Sequence, residues 1–295
     1  MRLQLLLFIL LVLFSNACHE PDLNIYELLT DQVTPDSIKL HYASEIVQSP
    51  AFSDQPRTVQ AVCYLVLATR VDHDSIDLCR EKAIALSNES YPANIYVWTQ
   101  LAKFDRNNKN FEEATEGFET ALILLGQPDD AFKDSIQASI LNSLGITYLL
   151  NDRYESAKES LKQANYINLK RKSWQQAAAV YNNLGLIGER TARYGESIHY
   201  YEQAILLRKQ DSNLLETAKV LKNIAIVYNK LGQYDQSLPY LSEALSTILR
   251  TPAPDLKEQA SILNSLGVAH YKLKHYEQAL DYYQQSLALR TDIDH

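Results

Sequence analysis

Four stretches of this chain are versions of one another, and their spacing limits the fold more than any other feature. LNSLGITYLLNDRYESA (141–157), YNNLGLIGERTARYGES (181–197), LKNIAIVYNKLGQYDQS (221–237) and LNSLGVAHYKLKHYEQA (263–279) align along their whole length. Gly145, Gly185, Ala225 and Gly267 form one column, and Tyr154, Tyr194, Tyr234 and Tyr276 another, at intervals of 40, 40 and 42 residues. Ala164, Ala204, Ala244 and Ser286 form a third, small column further on. The longer last interval holds Thr251-Pro252-Ala253-Pro254, where proline cannot continue a helix and the connection lengthens. Self-similarity at such a period marks stacked units, none of which can bury its apolar face alone.

Each unit reads as helix, short turn, helix. In the last one, Leu263, Leu266, Gly267 and Tyr271 fall on one helical face, and Ala279, Tyr283 and Ser286 on another. The turn between them is expected around Lys274-His275. Gly267 and Ala279 are small because two helices approach closely there. Composition agrees with an all-helical chain: only 8 Gly and 9 Pro occur in 295 residues, against 19 Tyr. So few glycines argue against a phosphate-cradling loop. A net charge of −8 argues against a general nucleic-acid binder.

These columns resemble the tetratricopeptide repeat (TPR), whose motif places a large residue, Leu, a small residue and Tyr on its first helix and small, aromatic and small residues on its second. A fifth unit precedes the four, with Trp98, Leu101, Ala102, Phe111, Ala114, Phe118 and Ala121 in register. The resemblance implies an all-α fold, a right-handed α-α superhelix, with five repeats over 91–295. Gly188 stands where the motif expects Tyr and is expected to weaken its helix. The period near 40 exceeds the family's usual ~34 residues; the longer form resembles kinesin light chains and bacterial peptide-sensing regulators with TPR domains. Residues 18–90 look helical but degenerate, with Val59–Arg70 and Ser75–Ile84 as a weak pair and Asp36–Val47 as another helix. They are expected to form an atypical cap on one continuous superhelix.

The resemblance also implies where binding occurs. TPR stacks line a concave groove with their first helices, and the positions just before the motif Leu face it: Asn142-Ser143, Asn182-Asn183, Lys222-Asn223 and Asn264-Ser265. Asn183 and Asn223 match the position at which kinesin light chains carry an Asn that holds a peptide backbone. An amide suits that task because it donates to a C=O and accepts from an N–H. The alternative is that these asparagines bond neighbouring helices and fix the stacking. Lys219, Lys222, Lys230 and Arg190 are expected to add positive charge for an acidic side chain or a terminal carboxylate. Ile146, Leu186, Ile226 and Val268 are expected to add apolar contact. The tyrosine columns, with Tyr148, Tyr228 and Tyr271, are expected to be packing.

No zinc-protease, serine-hydrolase or phosphate-loop motif occurs, and no cofactor or metal is expected. His270 and His275 are five apart and do not share a helix face. The N-terminus has a different character. Arg2 precedes an unbroken apolar run over 5–14, too short to cross a bilayer but suited to a signal peptide over 1–17. Ser15-Asn16-Ala17 before Cys18 resembles a bacterial lipoprotein cleavage site, although Ser15 stands where an aliphatic residue is usual. That resemblance implies a lipidated Cys18 and membrane attachment; His19, in place of Asp, favours the outer membrane. An ordinary secreted protein starting at Cys18 is the alternative. Cys63 and Cys79 are either a disulfide or two buried thiols. Residues 19–130 carry 19 acids against 8 bases, and residues 131–295 carry 17 against 19, a difference that solvated faces account for.

The expected function is therefore a non-catalytic scaffold, exported and lipid-anchored, that holds a protein or peptide in its groove. The alternative is an input module working with a kinase or transcription regulator.

Overall fold

The computed structural model describes residues 93–126, 131–208 and 213–294, together with Gln60 and Ala85. The apolar leader, Cys18, Cys63, Cys79 and the helices expected before residue 91 lie outside the described residues. Ten α-helices and no strand occur among them: α1 (Ala93–Asn107), α2 (Phe111–Leu125), α3 (Ala131–Leu150), α4 (Tyr154–Lys170), α5 (Trp174–Arg190), α6 (Tyr194–Arg208), α7 (Leu214–Lys230), α8 (Tyr234–Leu249), α9 (Leu256–Lys272) and α10 (Tyr276–Asp294). They alternate as first and second helices of five repeats. The chain divides into two compact units, residues 1–127 with α1 and α2, and residues 128–295 with α3 to α10. Among the described residues no helix is long and apolar enough to cross a membrane.

The turns inside the repeats are built alike. At the end of α5 the Arg193 N–H reaches the Gly188 carbonyl at 2.7 Å, and at the end of α7 the Gln233 N–H reaches the Tyr228 carbonyl at 2.9 Å. These bonds close the last turn and reverse the chain. The closure needs one residue in the left-handed region. Gly232 fills it without strain at φ 74°, whereas Ala192 does so at φ 56°. Lys274 takes the same conformation, so the turn lies where the spacing predicts it. Two first helices are also capped at their starts: the Asn213 and Asp255 side chains accept from the Glu216 and Glu258 N–H groups at 3.1 and 3.0 Å.

The glycine column marks where the two helices of a repeat touch. A Cβ built on Gly185 would lie 2.5 Å from the Tyr201 ring, and one on Gly267 would lie 2.6 Å from the Tyr283 ring. Tyr201 is fully buried against Gly185, and its hydroxyl donates to Glu189 Oε2 at 3.3 Å. Burial pushes the Tyr201 phenol far above its usual range, so it remains a donor. In the next repeat Leu241 replaces the ring, and Ala225 replaces the glycine. In the repeat before that of Gly185, Gly145 faces Leu161, so there the glycine is kept without a ring opposite it.

Gly188 has a packing role. Its absent Cβ lets α6 approach until the Ser197 backbone lies 2.9 Å from where that Cβ would sit. Ser197 Oγ also donates to the Gly185 carbonyl at 2.7 Å. The close approach offsets the roughly 1 kcal/mol that glycine costs inside a helix.

The tyrosine columns are corrected in two places. Tyr271 is 53% exposed. The position equivalent to Tyr148 and Tyr228 is His270, one residue earlier, and that step turns Tyr271 by about 100° around the helix. His270 stacks on Tyr282 at 5.3 Å as Tyr228 stacks on Tyr240 at 5.5 Å. Where Gly188 leaves the position empty, Tyr200 stacks on Tyr181 instead, at 6.1 Å. Tyr276 is 59% exposed, unlike its half-buried counterparts Tyr154, Tyr194 and Tyr234. Each counterpart is followed by another helix pair, and α10 is followed by none among the described residues.

The size matching is open to test. Gly185→Ala forces a methyl against the Tyr201 ring, and the expected loss is about 1–3 kcal/mol in urea unfolding. Adding Tyr201→Leu recreates the Ala225–Leu241 pair, so the double variant should lose less than the two single losses summed. Strict additivity would show that the ring is not the obstacle.

Candidate functional site

The first helices α3, α5, α7 and α9 carry the asparagine positions. Asn142, Asn182, Lys222 and Asn264 each lie four residues before Ile146, Leu186, Ile226 and Val268, so each polar residue shares a face with an apolar one. All eight side chains are half-buried, which leaves part of each open to solvent.

The asparagines also bind one another across repeats. Asn183 Nδ2 donates to Asn142 Oδ1 at 3.3 Å, and Asn223 Nδ2 donates to Asn182 Oδ1 at 3.0 Å. The stacking role is therefore present. Each of these bonds uses one edge of an amide and leaves other donor or acceptor capacity on the same group. Asn264 has no hydrogen-bond partner among the described residues.

The basic residues are engaged too. Lys222 Nζ lies 2.7 Å from Glu258 Oε1 and 3.2 Å from Ser261 Oγ, linking α7 to α9. Lys230 Nζ lies 2.8 Å from Glu189 Oε1, linking α7 to α5. Lys219 pairs with Glu216 at 2.7 Å, and the buried Arg208 faces the same carboxylate at 3.8 Å. Arg190 is exposed and lies near the Tyr154 phenol, which donates to Asp152 Oδ1 at 2.6 Å. That Asp152 bond is the main reason the Tyr154 phenol titrates above its ordinary range. The expectation of free positive charge along the groove is thus corrected: the three lysines meet carboxylates of their own chain. Glu189 accepts from both Lys230 and Tyr201, so one carboxylate joins three helices.

The second helices carry their own ladder. Lys158 on α4 pairs with Glu196 on α6, and Arg193 Nη2 lies 3.1 Å from Glu155 Oε1. The Lys158 ammonium holds the Glu196 carboxyl below its ordinary range, against the opposing effect of burial. Sequence reasoning missed these pairs. Their signal was the period: the Asn142–Asn183, Asn182–Asn223 and Glu189–Lys230 links between first helices span 41 residues and those between second helices span 38.

His270 and His275 meet across the last turn, Nδ1 to Nδ1 at 3.4 Å. The contact arises because the chain reverses between them, which a count along one helix cannot show. Burial, then the neighbouring His275, lowers the His270 imidazole below its usual range. Among the described residues no group of three His, Cys, Asp or Glu could hold a metal ion.

Comparison with known proteins places the repeats. The tetratricopeptide repeat family matches residues 138–171, 176–235 and 216–292, together just over half of the chain. No match was found among curated proteins. Among solved structures, BtubC (BKLC) from P. vanneervenii is similar over 83% of this chain and 93% of its own, with TM-score 0.61 and 16% identity. The apo form of RapI is similar over 89% of this chain and 68% of its own, with TM-score 0.67 and 14% identity. A Rap protein complexed with competence and sporulation factor is similar over 91% of this chain and 74% of its own, with TM-score 0.59 and 13% identity. At such identities the likeness concerns the fold. With its columns, its paired helices and the matched segments in agreement, the chain belongs to the tetratricopeptide repeat family.

Proposed function

We propose that this protein is a non-catalytic scaffold that binds an extended peptide or protein segment along its first helices. The observation that carries the reading is the pairing of an amide row with an apolar row on α3, α5, α7 and α9. Asn142, Asn182, Asn183, Asn223 and Asn264 supply donors and acceptors for a backbone with no sheet partner, while Ile146, Leu186, Ile226 and Val268 supply apolar contact. With Lys222 and Lys230 already paired, recognition rests on the ligand's backbone and apolar side chains rather than on its acidic groups. Similarity in fold to a Rap protein that holds competence and sporulation factor supports a ligand on such an array.

Two substitutions separate binding from stacking. Asn183→Ala with Asn223→Ala removes ligand contacts and inter-repeat bonds together, and the expected stability cost is about 1 kcal/mol per bond. Asn264→Ala removes an amide without an internal bond. Both variants should recover less partner than the unaltered protein in a cross-linking pull-down from native membranes. Undiminished recovery by both would sink the assignment.

The location is part of the same proposal. The apolar run before Cys18 supports export, and a lipidated Cys18 would tether the scaffold to a membrane, most simply the outer one. Mass spectrometry of the purified native protein should find an acylated N-terminal Cys18. An unmodified Cys18 would remove the lipid anchor and leave the scaffold standing, whereas a purely cytosolic protein would remove export as well.

A further inference from the structure

The first helix of the first unit carries two cations that the chain leaves unpaired. The Asn110 N–H reaches the Asp105 carbonyl at 2.9 Å, as the Arg153 N–H reaches the Tyr148 carbonyl at 2.8 Å. These equivalent turns fix the register of α1 against α3 in sequence. Lys103 stands in the column of Ile146, Leu186, Ile226 and Val268, and Arg106 in that of Leu149 and Glu189. A position that is aliphatic in the four later repeats is thus basic in the first. Lys103 and Arg106 are three residues apart on α1, so their side chains emerge as neighbours on one helix face.

Both residues are half-buried, and neither has a hydrogen-bond or ion-pair partner among the described residues. Asp105, the carboxylate of α1, is buried and has a partner of its own. The lysines of α7 differ, since Lys222 and Lys230 each meet a carboxylate from another repeat. Burial, and then the Arg106 charge, holds the Lys103 amine below its ordinary range, and burial lowers the Arg106 guanidinium. Like charges drawn partly out of water with no counter-charge oppose folding. The helix dipole offsets this for Arg106, in the last turn of α1, but Lys103 lies a turn further in. An arriving oxyanion would remove the opposition at both. The guanidinium fork suits two oxygens of a carboxylate or phosphate, and the ammonium adds a third contact.

We propose that Lys103 and Arg106 form an oxyanion site that takes a carboxylate or phosphate group of the bound segment. The source of that group rests on the scaffold reading, but the site is tested without a partner. The full-length chain in mild detergent is titrated with sodium phosphate and, separately, sodium acetate, against sodium chloride at equal ionic strength. An anion at the site favours the charged amine. Nuclear magnetic resonance of the lysine side chains should therefore show Lys103 titrating at higher pH in phosphate or acetate than in chloride, and the larger effect identifies the group. Arg106→Gln should weaken that binding about tenfold. Lys274→Gln, at an exposed lysine of the last repeat, should leave it unchanged. Lys103→Met removes an unpaired charge, so it should melt no lower than the unaltered chain and lose the anion-dependent rise in melting temperature. An identical Lys103 titration in all three salts would overturn the proposal, as would binding indifferent to Arg106→Gln. Anion binding that persists while the asparagine variants capture partner undiminished would instead count against the scaffold reading and leave the site.

Discussion

The distance between the two helices of each repeat is the constraint on which the remaining structure depends. It is set by a small residue on the first helix facing a large one on the second. Gly185 receives Tyr201 and Gly267 receives Tyr283, at separations that leave no room for a methyl. In the first unit both sides are small, and a Cβ added to Gly117 on the second helix would lie 2.9 Å from that of Ala102 on the first. This contact decides how deeply the second helix sits, and therefore which of its residues remain for the next pair. The buried column Ala164, Ala204 and Ala244 follows from it, because helices seated so closely leave no space for more than a methyl there.

Apolar contact fixes depth but is tolerant of sliding along the helix axis. The polar ladders remove that tolerance. Asn142–Asn183, Asn182–Asn223 and Glu189–Lys230 join first helices at one constant offset, and Glu155–Arg193 and Lys158–Glu196 join second helices at another. Exposed pairs of this kind contribute at most about 1 kcal/mol each. Their effect on register is larger. A slip of one turn would set Asn142 against Ile187 and Asn182 against Val227. Polar groups would then lose their partners while apolar ones gained none, and an amide left without a bond costs about 1–3 kcal/mol.

Much of this was legible from residue columns. The turn at Lys274 and the close approach at Gly145, Gly185 and Gly267 are carried by local spacing. Tyr271 was misplaced because Tyr is the motif residue, and here His270 holds the position while a tyrosine stands one step away. The roles of Lys222 and Lys230 were misjudged for a different reason. Their partners Glu258 and Glu189 lie in other repeats, and only the offset between repeats brings them together. The asparagines were legible as chemistry but not as geometry, since an amide suits both a ligand and a neighbouring helix. The offset of 41 residues, one period and one residue, is the signal that connects them.

That offset bears on what the face can read. Packed helices stand about 8–10 Å apart. An extended peptide advances roughly 3.3 Å per residue. A segment lying across the first helices would therefore pass one repeat about every three residues and meet an amide and an aliphatic side chain at each. Because the amides are tied to one another, the spacing of these contacts is set before any ligand arrives, and less ordering remains to oppose binding. The bonds that hold the repeats in register thus also determine the interval at which a bound chain would be read.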